Sequence, residues 1–97
     1  VELSDGRFAV NSRVTSGIYL YNTTFSYVGV LYLNTGVINM PSSMAVLQNN
    51  NLLVCNTNFN TCEELSISGD TASRVGTTAL INNVAAMRQP LSTMVIP

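Results

Sequence analysis

The sequence predicts a small, mainly β (α+β) fold, an antiparallel sheet or sandwich with one C-terminal helix and a short terminal strand. Segments rich in β-branched and aromatic residues fill the chain before Gly69. Pairs and triplets of Gly, Asn, Asp and Ser separate these segments at short intervals, as turns separate strands. After Gly69 the apolar residues adopt a helix-like spacing.

The N-terminal half contains the clearest strand and turn signals. Asp5-Gly6 lies between short apolar segments and has the residue types of a type I′ hairpin turn, whose two central residues need positive φ. Strands are predicted near Ile18–Tyr21, Phe25–Leu33 and Val37–Asn39. The last two would form a hairpin whose three-residue loop places Gly36 in the left-handed conformation.

The middle of the chain continues the pattern of short strands and polar turns. Residues 44–48 are predicted to form a strand or a short helix, and residues 49–51, all asparagine, a turn. Strands are predicted at Leu52–Cys55 and in the segment ELSISG, residues 64–69.

A helix is predicted from Asp70 to Pro90. Asp70 is a suitable N-cap, Arg88 lies in the last turn and Pro90 ends the helix. The apolar stripe consists of Ala72, Val75, Ala79, Ala86 and Met87. The segment LSTMVI that follows can return to the sheet as a strand.

Composition indicates one domain, residues 1–97, with an unusually uncharged surface. Charged residues are 9% of the chain, against roughly 25% in typical globular domains. Asn, Ser and Thr supply 32 of the 97 positions, and the net charge is −1. Soluble monomers usually carry more net charge, so this surface is expected to tolerate close contact with other copies.

The same composition excludes two classes of partner. Four scattered arginines and no lysine cannot neutralise a run of phosphates, so no nucleic-acid binding is expected. The longest apolar run, Val28–Leu33, is far shorter than the roughly 18 residues needed to cross a bilayer, and no membrane span is expected. The start at Val1 suggests that a secretory leader has been removed, the alternative being an excised domain.

Both cysteines, Cys55 and Cys62, lie in the segment LLVCNTNFNTCEEL. An extended chain would separate their Cα atoms by about 23 Å, so a disulfide requires the residues between them to fold back, which Asn and Thr favour. The alternative is a straight strand with two unbridged, buried thiols. The disulfide is the favoured interpretation, and it predicts an oxidising, extracellular, cell-surface or virion setting.

The side-chain inventory argues against metal, cofactor and catalytic chemistry. Two cysteines without histidine cannot form a zinc site within one chain, so a metal could be held only by ligands pooled across subunits, and the cysteine spacing is not that of a redox pair. Without His or Lys the usual general bases are absent. Adjacent Glu63 and Glu64 would point to opposite faces of a strand, and the other acids, Glu2, Asp5 and Asp70, are scattered. We therefore expect no enzyme activity, no catalytic residue, no metal and no cofactor.

Two features suggest surface roles. Asn22 begins an Asn-Thr-Thr triplet in a predicted turn, which makes it a candidate N-glycosylation acceptor. A cluster of aromatic residues could stack on sugar rings or, as the favoured interpretation has it, form the wall of a β core. This cluster consists of Tyr19, Tyr21, Phe25, Tyr27 and Tyr32.

These observations lead to the hypothesis of an exported, non-catalytic structural subunit that self-assembles into a filament, fibre, sheath, capsid or surface layer. Its expected partners are copies of itself, with glycan or host-surface contact as a further expectation. The alternative is an extracellular adhesion or glycan-binding module that uses the Tyr-rich strands. The candidate intersubunit strands are the weakly charged chain ends, Val1, Leu3, Met94, Val95 and Ile96, unless both ends pair within their own sheet.

Overall fold

The computed structural model describes residues 1–56 and 61–79, which form seven strands and no helix. The strands are β1 (Phe8–Asn11), β2 (Ile18–Tyr21), β3 (Tyr27–Tyr32), β4 (Pro41–Val46), β5 (Leu52–Asn56), β6 (Thr61–Ser68) and β7 (Thr71–Ala79). All pairings are antiparallel, in one sheet of order β1-β2-β3 and a second of order β4-β5-β6-β7. The prediction of a mainly β, antiparallel fold is confirmed.

The two sheets pack face to face as a β-sandwich. Each strand of an antiparallel sheet alternates its side chains between two faces, and the aliphatic side chains of one face meet those of the other sheet. The shared core consists of Leu3, Ala9, Ile18, Leu20, Leu31, Ile38, Leu52, Val54 and Leu65, all at most 6% exposed. Burial of these side chains is the main stabilising contribution to the fold.

Several predicted strands are confirmed. The structure places β2 at Ile18–Tyr21 and β5 at Leu52–Asn56, and β6 includes the predicted strand at 64–69 up to Ser68. Residues 44–46 belong to strand β4 and not to a helix. Strand β3 is shorter than predicted, because residues 23–25 form the loop between β2 and β3.

The predicted strand at Val37–Asn39 is wrong, and Gly36 has no positive φ. The segment is a turn in which the backbone N–H groups of Val37 and Ile38 donate to the Asn34 carbonyl, at 2.9 and 2.8 Å. The buried Asn56 side chain also binds this turn, accepting from Asn39 N at 3.0 Å and donating to Val37 O at 3.0 Å. These side-chain contacts replace the pairing that a strand would have made.

Three hairpin loops share one hydrogen-bond pattern, a three-residue loop closed by two backbone bonds. The loops are residues 4–6, 23–25 and 48–50, and the third residue of each has positive φ: Gly6 (88°), Phe25 (62°) and Asn50 (69°). This is the pattern of a turn followed by a left-handed residue. The predicted turn at Asp5-Gly6 exists, but only Gly6 has positive φ, so it is not type I′.

The predicted helix is wrong over residues 71–79, where the chain forms strand β7. Ser68 and Thr71 pair directly across a two-residue turn, Gly69-Asp70, in which Gly69 has a φ of 62°. This turn returns the chain along β6, and the resulting ladder overrides the helix-like spacing. Asp70 therefore belongs to a turn and caps no helix. The rest of the predicted helix and the terminal strand, including Met94, Val95 and Ile96, lie outside the described residues.

Strand β5 is buried on both faces. On the side away from the core, Leu53 and Cys55 pack with Leu47 and Cys62 in a second apolar cluster. Cys55 and Cys62 are directly opposed on β5 and β6, with Cα atoms 4.0 Å apart, and form a disulfide. The structure thus has the disulfide that the sequence favoured, and the described residues contain no helix that could cross a membrane.

Candidate functional site

The outer face of the three-stranded sheet is the most distinctive surface of the described chain. Because Ala9, Ile18 and Leu20 point into the core, their neighbours along β1 and β2 point outward. The register aligns the outward side chains in two rows across the three strands, Phe8–Tyr21–Tyr27 and Val10–Tyr19–Val30. We call these six residues, together with Phe25 in the adjoining loop, the aromatic face.

The five rings of the aromatic face form an unbroken chain of contacts. Phe25 stacks on Tyr21 with ring centroids 4.8 Å apart and meets the Phe8 ring edge-on at 5.3 Å. Tyr27 lies 5.5 Å from Tyr21 and 6.4 Å from Tyr19. Such pairs stabilise by about 0.5–1.5 kcal/mol beyond area burial, yet the rings of Phe25 and Tyr27 remain 58% exposed. The face is therefore held together but open to solvent.

The sequence favoured a core role for Tyr19, Tyr21, Phe25, Tyr27 and Tyr32, and this interpretation is wrong for the first four. Only Tyr32 packs against the core, opposite Ile18. Strand β2 reads Ile-Tyr-Leu-Tyr, so both of its faces are apolar, and the aliphatic set fills the space between the sheets. The tyrosines then line the surface.

The ion pairs of the described residues include no member of the aromatic face. Arg7 binds Asp5 at 2.7 Å and Asp70 at 3.0 Å, joining the first hairpin loop to the turn between β6 and β7. Arg74 binds Glu63 on the other sheet. The aromatic face is thus an exposed apolar surface without a charged member, a kind of patch that often marks an interaction site.

Phe25 occupies a backbone conformation that its residue type disfavours. The equivalent loop positions carry Gly6 and Asn50, the residue types that tolerate positive φ. For a bulky side chain this conformation costs of order 1–3 kcal/mol, and such strain concentrates at functional sites. The ring contacts with Tyr21 and Phe8 compensate for the strain and place the Phe25 ring at the end of the aromatic face.

Asn22 fixes the loop that carries Phe25. Its side-chain oxygen Oδ1 accepts hydrogen bonds from Thr24 N (3.0 Å), Thr24 Oγ1 (2.9 Å) and Ser26 N (2.9 Å). Phe25 N donates to the backbone carbonyl of Asn22 at 2.9 Å. The candidate glycosylation acceptor therefore lies at the tip of the β2–β3 hairpin, beside the aromatic face.

A shallow depression of about 360 Å³ is lined by Tyr19, Tyr21 and Tyr27. The Tyr27 ring is inclined by 65° to Tyr21 and by 50° to Tyr19, so the rings form walls and not a flat platform. The Tyr19 hydroxyl bonds Thr15 Oγ1 at 2.5 Å, and its ring lies over Gly17, where an added Cβ would come within 2.9 Å of Tyr19 Cζ. Gly17 thus permits this ring position.

The two adjacent glutamates point to opposite faces of β6, as predicted, and both are buried. Glu63 Oε1 accepts from Arg74 Nε at 2.8 Å and from Thr77 Oγ1 at 2.6 Å, in a depression of about 330 Å³ that Gly36 and Val37 also line. Glu64 Oε2, beside the disulfide, accepts from the side-chain amides of Asn49 at 3.1 Å and Asn51 at 2.6 Å. Their burial has no signal in the sequence.

Asp5 and Asp70 meet on Arg7 although they are distant in sequence. The pKa of Asp5 lies below its ordinary value because the Arg7 backbone N–H donates to its carboxylate, with further lowering from the Arg7 guanidinium. Within residues 1–56 and 61–79, no group of three or more potential metal-ligating side chains occurs.

The N-terminal segment pairs with its own chain. Val1 O accepts from Ala9 N at 2.9 Å, the Val1 amino group donates to Ala9 O at 2.8 Å, and Leu3 N donates to Arg7 O at 2.7 Å. Leu3 belongs to the core. Glu2 lies opposite Phe8 between these bonds, so its backbone groups face away from the sheet. An intersubunit role for this segment stays a prediction.

Comparison with protein-family models, curated proteins and solved structures finds no match to this chain.

Proposed function

We propose that the protein is an exported, non-catalytic structural subunit that associates with copies of itself through the aromatic face. The observation that carries this proposal is the uncharged aromatic surface itself, completed by a phenylalanine in an unfavourable backbone conformation. Burying these rings against a partner would remove apolar area from water, the main driving force for association.

A second copy is the partner that the charge distribution favours. The chain carries a net charge of −1, so two copies repel each other weakly. An uncharged sheet face is complementary to itself, and a twofold contact places the same two rows on both sides. Aromatic residues are enriched and charged residues depleted at the cores of protein interfaces.

Export and the absence of catalysis belong to the same proposal. The disulfide suits an oxidising compartment. The buried carboxylates are engaged by structural partners, Glu63 by Arg74 and Thr77, and Glu64 by Asn49 and Asn51. This arrangement supports a scaffold role for both. The assembled form would be a filament, fibre, sheath, capsid or surface layer outside the cell.

Sedimentation velocity over a concentration series tests the proposal. Val30→Lys places a charge in the aromatic face, at the β3 end of the row Val10–Tyr19–Val30. We expect this variant to yield monomers where the unmodified chain forms dimers or larger particles. Val75→Lys is the matched control, because Val75 is equally apolar and is exposed on β7 of the other sheet. A monomeric unmodified chain, or equal association of both variants, would contradict the proposal.

The tyrosine depression supports a second candidate, an extracellular adhesion module that binds a neutral glycan. Three tyrosine rings around about 360 Å³ offer stacking surfaces and hydroxyl groups to a sugar. Such a module would remain monomeric and bind immobilised neutral oligosaccharides. Tyr27→Ala would abolish that binding, whereas Val75→Lys would preserve it.

A further inference from the structure

We infer that Asn22 is the acceptor of an N-linked glycan. Asn22-Thr23-Thr24 is the one Asn-X-Ser/Thr triplet in the 97 residues. It occupies the tip of the β2–β3 hairpin, with Thr23 and Thr24 exposed to solvent. An acceptor triplet of this kind belongs on a surface loop of a secreted protein.

The hydrogen bonds of the hairpin are compatible with the modification. The fold uses the side-chain oxygen of Asn22, which accepts three hydrogen bonds. Among the described residues, the amide nitrogen Nδ2 donates no hydrogen bond to protein. Glycosylation substitutes this nitrogen and leaves the carbonyl oxygen as an acceptor, so the three bonds that shape the loop would survive.

The other loops of the chain provide a comparison. Asn34 makes a related turn, in which its Oδ1 accepts from Gly36 N at 3.1 Å. The residue two positions after this asparagine is Gly36, whereas the corresponding residue after Asn22 is Thr24. A turn-forming asparagine therefore does not require a hydroxyl residue two positions later. In the β2–β3 loop that hydroxyl is present and donates to Asn22 Oδ1 at 2.9 Å, which couples the two side chains of the triplet.

The reaction takes an activated oligosaccharide as co-substrate. The donor is a lipid-linked pyrophosphate sugar, held by a membrane transferase of the secretory compartment. Asn22 Nδ2 forms a bond to the anomeric carbon, the bond from that carbon to the phosphate oxygen breaks, and the lipid pyrophosphate leaves. The proton lost from Nδ2 passes to a base on the transferase. A disulfide is typical of proteins that mature in oxidising compartments of this kind.

The test is expression of the full chain with a secretory leader in a eukaryotic host, followed by intact-mass measurement. We expect a glycan mass on Asn22 that peptide N-glycosidase removes, converting Asn22 to aspartate. Asn22→Gln and Thr24→Ala should abolish the added mass, whereas Thr24→Ser should retain it. Asn34→Gln is the matched control and should leave the glycan in place.

A gain-of-site variant sharpens the result. Gly36→Thr creates a second triplet at Asn34, and we expect two glycans on that chain. Secreted, disulfide-bonded protein without glycan on Asn22 overturns the inference, whatever occurs at Asn34. A glycan that persists in Thr24→Ala overturns it as well. The readout is mass, so this result is independent of whether the aromatic face mediates self-association.

Discussion

The guanidinium Nε of Arg74 lies 2.8 Å from Oε1 of Glu63, and the carboxylate is 4% exposed while the guanidinium is half exposed. Thr77 Oγ1 also donates to this oxygen and contacts the guanidinium. When a buried carboxylate loses its charged partner, the folded state is destabilised, because the buried charge remains without compensation.

Arg74→Met should therefore lower the free energy of unfolding by roughly 1–3 kcal/mol. This loss is smaller than that expected on breaking a fully buried ion pair, because solvent reaches Arg74. Urea unfolding measures this change. Arg13→Met is the matched control, since Arg13 is exposed and forms no ion pair within the described residues. Equal stabilities of the two variants would contradict this account of Glu63.

The loop positions of Phe25 and Asn50 separate backbone strain from ring packing. Both residues have positive φ, so Gly should be more stable than Ala by about 1 kcal/mol at either position. Phe25→Gly additionally loses the contacts with Tyr21 and Phe8. Thermal unfolding of Phe25→Gly, Phe25→Ala, Asn50→Gly and Asn50→Ala gives the comparison. A Phe25→Ala protein as stable as Phe25→Gly would show that the loop is not strained.

The disulfide between Cys55 and Cys62 should stabilise the fold by about 2.5 kcal/mol, because it closes a short loop in the unfolded chain. The double variant Cys55→Ala/Cys62→Ala should show this loss in urea unfolding. Reductant should destabilise the unmodified protein and leave the double variant unchanged. The intact oxidised protein should weigh two hydrogens less than the reduced form, and two readily alkylated thiols in native protein would refute the bridge.

Asp5 gives a pH dependence whose sign follows from its lowered pKa. The ionised carboxylate contributes stability above its unfolded pKa, and this contribution is lost as pH falls through the lower folded pKa. Asp5→Asn retains an oxygen acceptor for Arg7 N but no charge. The stability difference between the two proteins should shrink as pH falls from about 6 to about 2. A difference that grew toward acid pH would contradict this account.

The local elements of the fold could be predicted where one signal acted alone. The β-branched and aromatic residues at Ile18–Tyr21 and the apolar run at Leu52–Cys55 each have a single interpretation, and the structure follows it. The asparagine turn predicted at 49–51 exists as the loop 48–50, one residue earlier. Gly69-Asp70 was a hairpin-turn signal of the same quality. The helix-like spacing after it concealed that signal, although Thr71, Val75 and Thr77 favour a strand.

The candidate site could be predicted in part. Period-two spacing shows that Tyr19 and Tyr21 share one face, but it cannot decide which face is buried when Ile18 and Leu20 are apolar too. Only the opposing sheet decides that. The turn at Val37–Asn39 depends on Asn56, which lies 17 residues beyond Asn39. Such long-range side-chain bonds leave no local pattern in a sequence.

The placement of the aromatic face on only one side of the sandwich limits the stoichiometry of assembly. A twofold contact through this face buries it in both copies, so the contact closes at a dimer and cannot propagate. Growth beyond the pair requires a second surface that lies outside the aromatic face. The repeating unit of a polymer would then be a back-to-back pair that presents this second surface twice, once from each copy.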